Sequence, residues 1–524
     1  MASRLFAKKS LELLLQEMAG EHRLRRVLGP IQLTSLGVGA IIGAGIFVAT
    51  GAAAHNVAGP ALMLSYVVAG ITCVFAALCY AEFASMAPVA GSAYTYAYAT
   101  LGELFAWIIG WDLVLEYAVG SATVATGWSG YFQNVLLKLG YQLPLALRES
   151  PLRYDAGTGA FVPTGSSFNL PAVVIVMIVT MILVKGIRES ASFNAAMVMI
   201  KVAAVLFVIG AGIFFIDPAN WHPFAPMGWT GLNFFGTHVA GQTDPGGSPI
   251  GMLAGAAIIF FAYIGFDSVS THTEEARNPQ RDVPIGIVAS LLICTVLYIA
   301  VVAVLTGMVR YDQIDVAAPV SRAFQQKGIG WAEGVIAAAG VAGITSVLLV
   351  MMLSGPRVFL AMARDGLVPP FFGDVHTKFR TPWKSTILIG VFVTGLAGFL
   401  PIDALLHLTN IGTLLAFVIV CAAVLIMRRT NPNAERPFRA PFVPVTPILG
   451  IASCLLLMFS LPAANWWRLG VWLLVGLAIY FLYGRHHSIM SRSLAHEITR
   501  HGVSPGGSLV SHTGAPPDDG SPKD

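Results

Sequence analysis

The chain has 524 residues, of which 56% are hydrophobic and only 11% are charged. Soluble proteins carry about 25% charged residues, so this chain has too few charges to cover a water-soluble globule. The composition excludes a cytosolic enzyme, a nucleic-acid-binding protein and a disordered scaffold, and it indicates an integral membrane protein. The five cysteines lie in apolar runs without CxxC spacing. They are predicted to be small core residues rather than disulfide partners or metal ligands.

Apolar segments long enough to cross a membrane recur along most of the chain. About 20 apolar residues in a helix span the ~30 Å hydrocarbon core of a bilayer. Polar segments flank the apolar part: 1–28, and 486–524, which is rich in Gly, Ser, Pro and Asp and is predicted to be disordered. The sequence predicts twelve spans: 31–54, 59–86, 103–137, 169–185, 190–216, 250–272, 284–309, 331–363, 385–401, 403–427, 442–461 and 466–484.

The positions of lysine and arginine predict the orientation of these spans. If the N-terminus is cytoplasmic, the inner segments hold 23 of the 31 basic residues and the outer segments hold 7. Cytoplasmic loops are enriched in lysine and arginine, so this asymmetry predicts that both termini are cytoplasmic. We therefore expect a multi-pass protein of the cell inner (cytoplasmic) membrane, in contact with lipid and without a nucleic-acid partner.

Spans 1 and 6 differ from the others because glycines interrupt them. Span 1 has glycines at positions 37, 39, 43 and 45, and span 6 has Gly265 within the aromatic run 260–267. Each glycine costs ~1 kcal/mol in a helix relative to alanine, so the glycines favour opening at mid-membrane. Backbone groups freed there are tolerable only if they line a cavity or contact a ligand. A helix-packing GxxxG motif is the alternative interpretation of Gly39 and Gly43.

Four spans separate the two interrupted spans, which is the spacing that two inverted repeats of five helices require. This predicts an all-α fold with discontinuous spans 1 and 6. The predicted organisation is a cytoplasmic segment 1–28, repeat 1 at 29–216, an extracellular loop at 217–249, repeat 2 at 250–428, spans 11 and 12 at 429–485, and a cytoplasmic tail at 486–524.

The sequence resembles the amino acid–polyamine–organocation (APC) transporter superfamily, and within it the cationic amino acid transporter branch and its bacterial homologues. The resemblance covers about residues 25–485. Its motifs are Gly-Ala-Ile-Ile-Gly-Ala-Gly-Ile-Phe at 39–47, the aromatic run at 260–267, Glu-Glu-Ala-Arg-Asn-Pro-Gln-Arg-Asp-Val-Pro at 274–284, and the segments 79–83, 91–96, 111–117 and 363–366.

The resemblance implies a LeuT-type fold and a site for an L-amino acid between the two interrupted spans. The substrate carboxylate would meet amides freed at Gly43, Ala44 and Gly45, and its amino group would meet carbonyls near the second break. Helix N-termini carry about +0.5 charge and C-termini about −0.5, which suits a zwitterion. The implied substrate-binding residues at the breaks are Ile42, Gly43, Ala44, Gly45, Ile46, Phe261, Ala262, Tyr263 and Ile264.

Charged residues inside the apolar spans are functional candidates, because a charge costs at least ~2.5 kcal/mol at the bilayer centre. Lys201 lies in span 5, where the resemblance implies a cation that replaces the sodium of related transporters and bonds to carbonyls of spans 1 and 8. A purely structural cation is the alternative. Asp112 and Glu116 share one face of span 3. Glu116 is predicted to border the substrate and carry a proton, with a packing role as the alternative. Glu82 and Asp267 are predicted to be helix-packing or inner-gate residues.

These features predict a secondary active amino acid permease that works by alternating access and is coupled to protons through Lys201 and Glu116. Met351 or Met352 in span 8 is expected to form the floor of the side-chain pocket and to favour small neutral substrates such as alanine, whereas the branch suggests cationic ones. Amino acid exchange, sodium symport and a transporter-like sensor are the alternatives. No catalytic motif, metal site or cofactor is predicted.

Overall fold

The structure is a computed structural model that describes residues 8–9, 28–86, 92–155, 158, 160–186, 191–235, 237–271, 273, 276–379 and 381–489. Most of the predicted cytoplasmic segment 1–28 and most of the predicted disordered tail 486–524 lie outside these residues.

The described chain is mainly helical, and its α-helices are numbered here in chain order. They are α1 (Pro30–Ile41), α2 (Thr50–Ala53), α3 (Leu62–Met86), α4 (Ser92–Thr100), α5 (Glu103–Lys138), α6 (Leu170–Lys185), α7 (Ala191–Gly212), α8 (Met252–Ile259), α9 (Ser268–Thr271), α10 (Pro279–Met308), α11 (Pro319–Gln326), α12 (Gly330–Arg364), α13 (Trp383–Phe399), α14 (Ile402–Thr430), α15 (Val445–Phe459), α16 (Ala463–Ile479) and α17 (Arg485–His487).

Each predicted span coincides with helical structure. Within the described residues, eight helical stretches are long and apolar enough to cross a membrane, and the longest is Pro30–Met86 with 57 residues. Three shorter apolar helices, Leu170–Lys185, Trp383–Phe399 and Val445–Phe459, accompany them. The chain is therefore a multi-pass helical membrane protein.

The helices pack in pairs that join the two halves of the chain. Helix α5 lies along α12, α3 lies along α10, and α6 lies along α13. Helix α14 packs against both α5 and α15. The core of the molecule therefore forms between helices that are distant in sequence.

Large apolar side chains cover much of the outer surface of the helical body. Val296 on α10 and Val391 on α13 are each 68% exposed, and Leu474 on α16 is 67% exposed. A soluble monomer rarely exposes such a continuous apolar surface. These faces suit contact with lipid hydrocarbon.

Two small β-sheets, which the all-helical prediction did not include, lie in the loops. Strands β1 (Leu152–Asp155) and β2 (Ala160–Pro163) form an antiparallel hairpin with Leu152 opposite Pro163. Strands β3 (Gly231–Phe234), β4 (Thr237–Thr243) and β5 (Pro249–Ile250) form an antiparallel sheet in the order β3-β4-β5. Because these strands are short and lie in polar loops, no apolar run in the sequence indicated them.

Candidate functional site

The first predicted break lies immediately after α1. Ile42 leaves the helix with an extended conformation (φ −71°, ψ 105°), and regular turns resume at Gly45 as a π-helical segment, Gly45–Ala49. Among the described residues, no hydrogen-bond acceptor is present for the amides of Gly43, Ala44 and Gly45. Three consecutive backbone N–H groups at this buried point are therefore without an acceptor in the described part of the chain.

The second break follows α8. A 3₁₀ turn at Phe260–Tyr263 is followed by Ile264 in an extended conformation (φ −58°, ψ 132°) and by Gly265 with φ +122°. A Cβ at Gly265 would also lie 2.9 Å from the carbonyl oxygen of Ala40 on α1. Glycine is therefore required here for both its backbone conformation and its small size. Among the described residues, the carbonyls of Ala262 and Ile264 accept no hydrogen bond.

The two breaks lie against each other. A Cβ on Gly45 would lie 2.5 Å from Ala262 Cβ, and it would be closer still to Ala262 Cα. A Cβ on Gly43 would lie 2.6 Å from Val347 Cγ2 on α12. The structure thus brings the predicted residues of both breaks together, and Ile42, Ile46 and the segment Phe261–Ile264 are all buried.

Side chains from other helices bind the carbonyls freed around the breaks. Tyr298 on α10 donates to Ile41 O at 2.8 Å, and Tyr131 on α5 donates to Phe47 O at 2.6 Å. Asn410 on α14 donates to the carbonyls of Ala257 and Ile258, at 2.9 and 2.7 Å. None of these three residues was among those predicted from the sequence. A polar side chain within an otherwise apolar span was the available signal.

Lys201 on α7 is 1% exposed and lies beside α1. Its Nζ donates to the carbonyl oxygen of Gly39 at 2.6 Å, four residues before Gly43. Its aliphatic stem passes over Gly343 on α12, where a Cβ would lie 3.2 Å from Lys201 Cγ. The resemblance implied bonds to carbonyls of spans 1 and 8. Among the described residues, Lys201 bonds to a carbonyl of span 1 only. Gly343 of span 8 contributes the space for the lysine stem instead of a carbonyl bond.

A buried cluster of carboxyl groups lies near the second break, on the side of α5. Asp112 and Glu116 on α5 are 1% and 2% exposed. The carboxyl oxygens of Asp112 have no hydrogen-bond partner among the described residues, and the carboxyl group of Glu116 lies beside the Thr413 hydroxyl of α14. Asp267, just after the second break, accepts a bond of 3.2 Å from Tyr117 Oη. Glu116 is close enough to Asp267 to interact with it electrostatically. This cluster therefore lies between α5 and the second break.

Met351 on α12 contacts α5 one turn after Glu116. A Cβ at Gly120 would lie 3.4 Å from the Met351 sulfur and methyl carbon, so the Met351 side chain packs directly beside Gly120. Met351 and Met352 are both buried. Glu116 and Met351 are thus brought to the same interface between helices.

Glu82 lies away from the breaks, near the C-terminal end of α3. Both of its carboxylate oxygens accept bonds from the Arg428 guanidinium on α14, at 2.9 and 2.7 Å. Glu82 also accepts a bond of 2.8 Å from the Ala440 amide, and Arg436 Nε lies 3.4 Å from Glu82 Oε1. These contacts tie the segment after α14 to α3, in keeping with the predicted packing role.

Two opposed helix breaks, buried within a multi-pass helical membrane protein and lined by backbone groups that have no partner among the described residues, are features of a transporter. The chain belongs to the amino acid permease family, whose model matches residues 28–479. Membership of this family, which is part of the APC superfamily, confirms the resemblance, and the chain is a transporter rather than an enzyme.

Similarity to individual transporters extends over almost the whole chain. The branched-chain amino acid permease BcaP of Bacillus subtilis is 47% identical over 493 residues, which cover 94% of this chain and 100% of that protein. The methylthioribose transporter of Bacillus subtilis is 44% identical over 490 residues, with the same coverage. The vacuolar cationic amino acid transporter 4 of Arabidopsis thaliana is 38% identical, over 79% of this chain and 65% of its own length.

Proposed function

We propose that this protein is a secondary active transporter that imports L-amino acids across the cell inner membrane by alternating access. The observation that carries the proposal is that, among the described residues, the amides of Gly43, Ala44 and Gly45 and the nearby carbonyls of Ala262 and Ile264 have no hydrogen-bond partner. Amides bind a carboxylate and carbonyls bind an ammonium group, so together they suit the common zwitterion of amino acids.

The proposed architecture is twelve spans in a LeuT-type five-plus-five inverted repeat, with both termini cytoplasmic. Pro30–Met86 is long enough for two crossings. These two crossings, the seven other long stretches and the three shorter apolar helices together make twelve spans. The pairs α3 with α10, α5 with α12 and α6 with α13 join helices at equivalent positions of the two repeats. The two breaks, which also contact each other, occupy equivalent positions as well.

Proton coupling is proposed to use Glu116 and Lys201. Asp112, Glu116 and Asp267 form a cluster without a hydrogen-bonded cation in the described residues. Carboxylates packed this closely would repel one another, so we assign the proton-carrying role to this cluster. Lys201 places a cation beside the first break through its bond to Gly39. A sodium ion about 4 Å from it would be repelled by ~4 kcal/mol at an effective dielectric constant of ~20.

The proposed substrates have neutral side chains. Met351 and Met352, the expected floor of the side-chain pocket, are buried, and Met351 lies beside Gly120, one turn after Glu116. In the described part of the chain no basic side chain pairs with Glu116 or Asp112, so a cationic substrate side chain is the competing possibility. The names of the relatives include branched-chain amino acids, cationic amino acids and methylthioribose. Methylthioribose has no carboxylate and ammonium pair for the amides of the first break and the carbonyls of the second break to bind.

The test is uptake by the purified protein in liposomes. Labelled L-alanine, L-leucine and L-arginine are each supplied with and without an inward proton gradient, with methylthioribose as an unlabelled competitor. We expect uptake of alanine and leucine, at least tenfold accumulation with the gradient, and no competition by methylthioribose. Uptake of label that requires unlabelled amino acid inside the liposomes and ignores the gradient would instead identify an exchanger. Absence of uptake of all three amino acids would overturn the proposal.

A further inference from the structure

A basic and aromatic surface lies where α6 ends and α13 begins. Lys185 is the last residue of α6, and the segment 374–385, which leads into α13, holds three basic residues and one acidic residue. Neither part belongs to the helix breaks. Under the proposed topology both helix ends are cytoplasmic, so this surface lies at the inner boundary of the membrane.

Close contacts join the loop before α13 to the end of α6. Thr381 donates its hydroxyl proton to a carbonyl of the last turn of α6, at 2.8 Å. A Cβ on Gly186 would lie 3.5 Å from the carbonyl oxygen of Phe379. Lys185 and Lys378, both exposed, are the residues that precede the two partners of this contact. The fold therefore places two exposed lysines from separate segments on one surface.

Aromatic rings lie beneath the lysine ammonium groups of the loop. Lys378 Nζ lies 5.8 Å from the centre of the Phe379 ring, and Lys384 Nζ lies 5.5 Å from the centre of the Trp383 ring. The His376 ring packs against both of these rings, with centroid distances of 4.6 and 6.0 Å. An ammonium group over a ring keeps N–H donors on its other side, so it can bind an anion as well.

The loop is ordered by its own hydrogen bonds. His376 Nδ1 accepts bonds from the amides of Lys378 and Phe379, at 3.1 and 3.3 Å. The His376 amide donates to the carbonyl oxygen of Thr381 at 2.9 Å. A loop that is already ordered loses little conformational entropy when a ligand binds. The lysine of the loop is therefore held ready for a partner.

The charge of this surface is not balanced within the described chain. Lys384 forms an ion pair with Asp374. Lys185 and Lys378 form no ion pair with any described residue, so an anion from outside the protein would complement them. We call the following residues the inner basic patch: Lys185, Lys378, Lys384, His376, Phe379 and Trp383.

Exposed apolar faces of both helices end at the inner basic patch. Met181 on α6 lies one turn before Lys185 and is 57% exposed. Leu388 on α13 lies one turn after Lys384 and is 46% exposed. A ligand with an anionic head and apolar chains would contact the lysines and these faces at once. A water-soluble phosphate would use only the lysines.

We propose that the inner basic patch binds an anionic phospholipid of the inner leaflet. Lys185 and Lys378 bind its phosphate, Trp383 lies at the level of its head group, and its acyl chains lie along Met181 and Leu388. Basic clusters at the cytoplasmic ends of membrane helices attract anionic lipids, and tryptophan is enriched at this depth. The inference rests on the proposed topology and not on the identity of the transported substrate.

The experiment measures lipid bound to the purified full-length protein by native mass spectrometry. The protein in detergent receives equal amounts of phosphatidylglycerol and phosphatidylcholine with the same acyl chains. We expect wild type to retain at least five times more phosphatidylglycerol, and the double variant Lys185→Gln/Lys378→Gln less than twice as much. Lys185→Arg/Lys378→Arg should keep the wild-type ratio. Arg429→Gln is the matched control, because Arg429 is an exposed cation at the inner end of α14, outside the patch.

Three outcomes would overturn the proposal. They are equal retention of both lipids by wild type, an equal loss of preference in Arg429→Gln and in the double variant, and displacement of phosphatidylglycerol by soluble glycerol phosphate. The second would show that total charge selects the lipid, and the third would identify a site for free phosphate.

A measurement on wild type alone decides the question if the double variant aggregates. Raising the salt concentration from about 0.05 to about 0.5 M screens the lysines and should lower the preference at least threefold. An unchanged preference would refute binding through the lysines. None of these measurements requires transport, so their result is independent of the proposed function.

Discussion

Gly45 and Ala262 are in backbone contact at the point where the two broken helices meet. They are 217 positions apart in the sequence, and a Cβ on Gly45 would overlap Ala262. The neighbouring groups are backbone atoms rather than flexible side-chain ends, so the structure cannot easily yield to a larger residue at position 45. This contact fixes the distance between the amides of the first break and the carbonyls of the second.

Replacement of Gly45 should therefore abolish transport. We expect Gly45→Leu to reduce amino acid uptake at least a hundredfold, because its side chain would occupy the space between the breaks. Gly395→Leu on α13 is the matched control, since a Cβ there meets nothing within 4 Å. Uptake into liposomes is the measurement, with gel filtration to verify folding. Normal uptake by a folded Gly45→Leu protein would contradict the assigned site.

Removal of the cation at Lys201 should uncouple transport from the proton gradient. The substitution Lys201→Ala deletes the bond to Gly39 O, and an unpaired buried carbonyl costs about 1–3 kcal/mol. We expect at least a tenfold loss of gradient-driven accumulation, with amino acid exchange retained. The exposed Lys327→Ala is the control.

In wild type, replacement of sodium by choline at a constant proton gradient should change uptake less than twofold. A collapse of uptake would refute proton coupling without sodium.

A smaller residue at Met351 should widen the range of substrates. Met351 fills the space beside Gly120 on α5, so Met351→Ser leaves room for a longer side chain near Glu116. We expect unlabelled arginine to compete with labelled alanine at least five times better in this variant than in wild type. Met181→Ser, at a residue 57% exposed on α6, should leave competition unchanged. An unaltered ranking of alanine, leucine and arginine in Met351→Ser would place the side-chain pocket elsewhere.

Loss of the Glu82 carboxylate should destabilise the protein. Glu82→Gln weakens the paired bonds with Arg428 and the contact with Arg436, and we expect a loss of about 2–3 kcal/mol of unfolding free energy. Thermal unfolding in detergent measures the effect, and the exposed Glu435→Gln is the control. A double-mutant cycle with Arg428→Gln should give a coupling energy of at least ~1 kcal/mol. Additive effects would mean that the ion pair contributes little.

The sequence by itself determined the helical segments and the positions of both breaks. Every backbone group in hydrocarbon must be satisfied within its own segment, so the length and apolarity of each span are encoded locally. The breaks were predictable for the same reason, because Gly43, Gly45 and Gly265 weaken the helix where they stand.

Only the tertiary structure decided which side chains meet. Lys201 binds Gly39, Asn410 binds the end of α8, and Glu82 binds Arg428, and every one of these pairs is more than 150 residues apart. A local pattern can mark such residues as unusual, but their partners depend on how helices of the two halves pack.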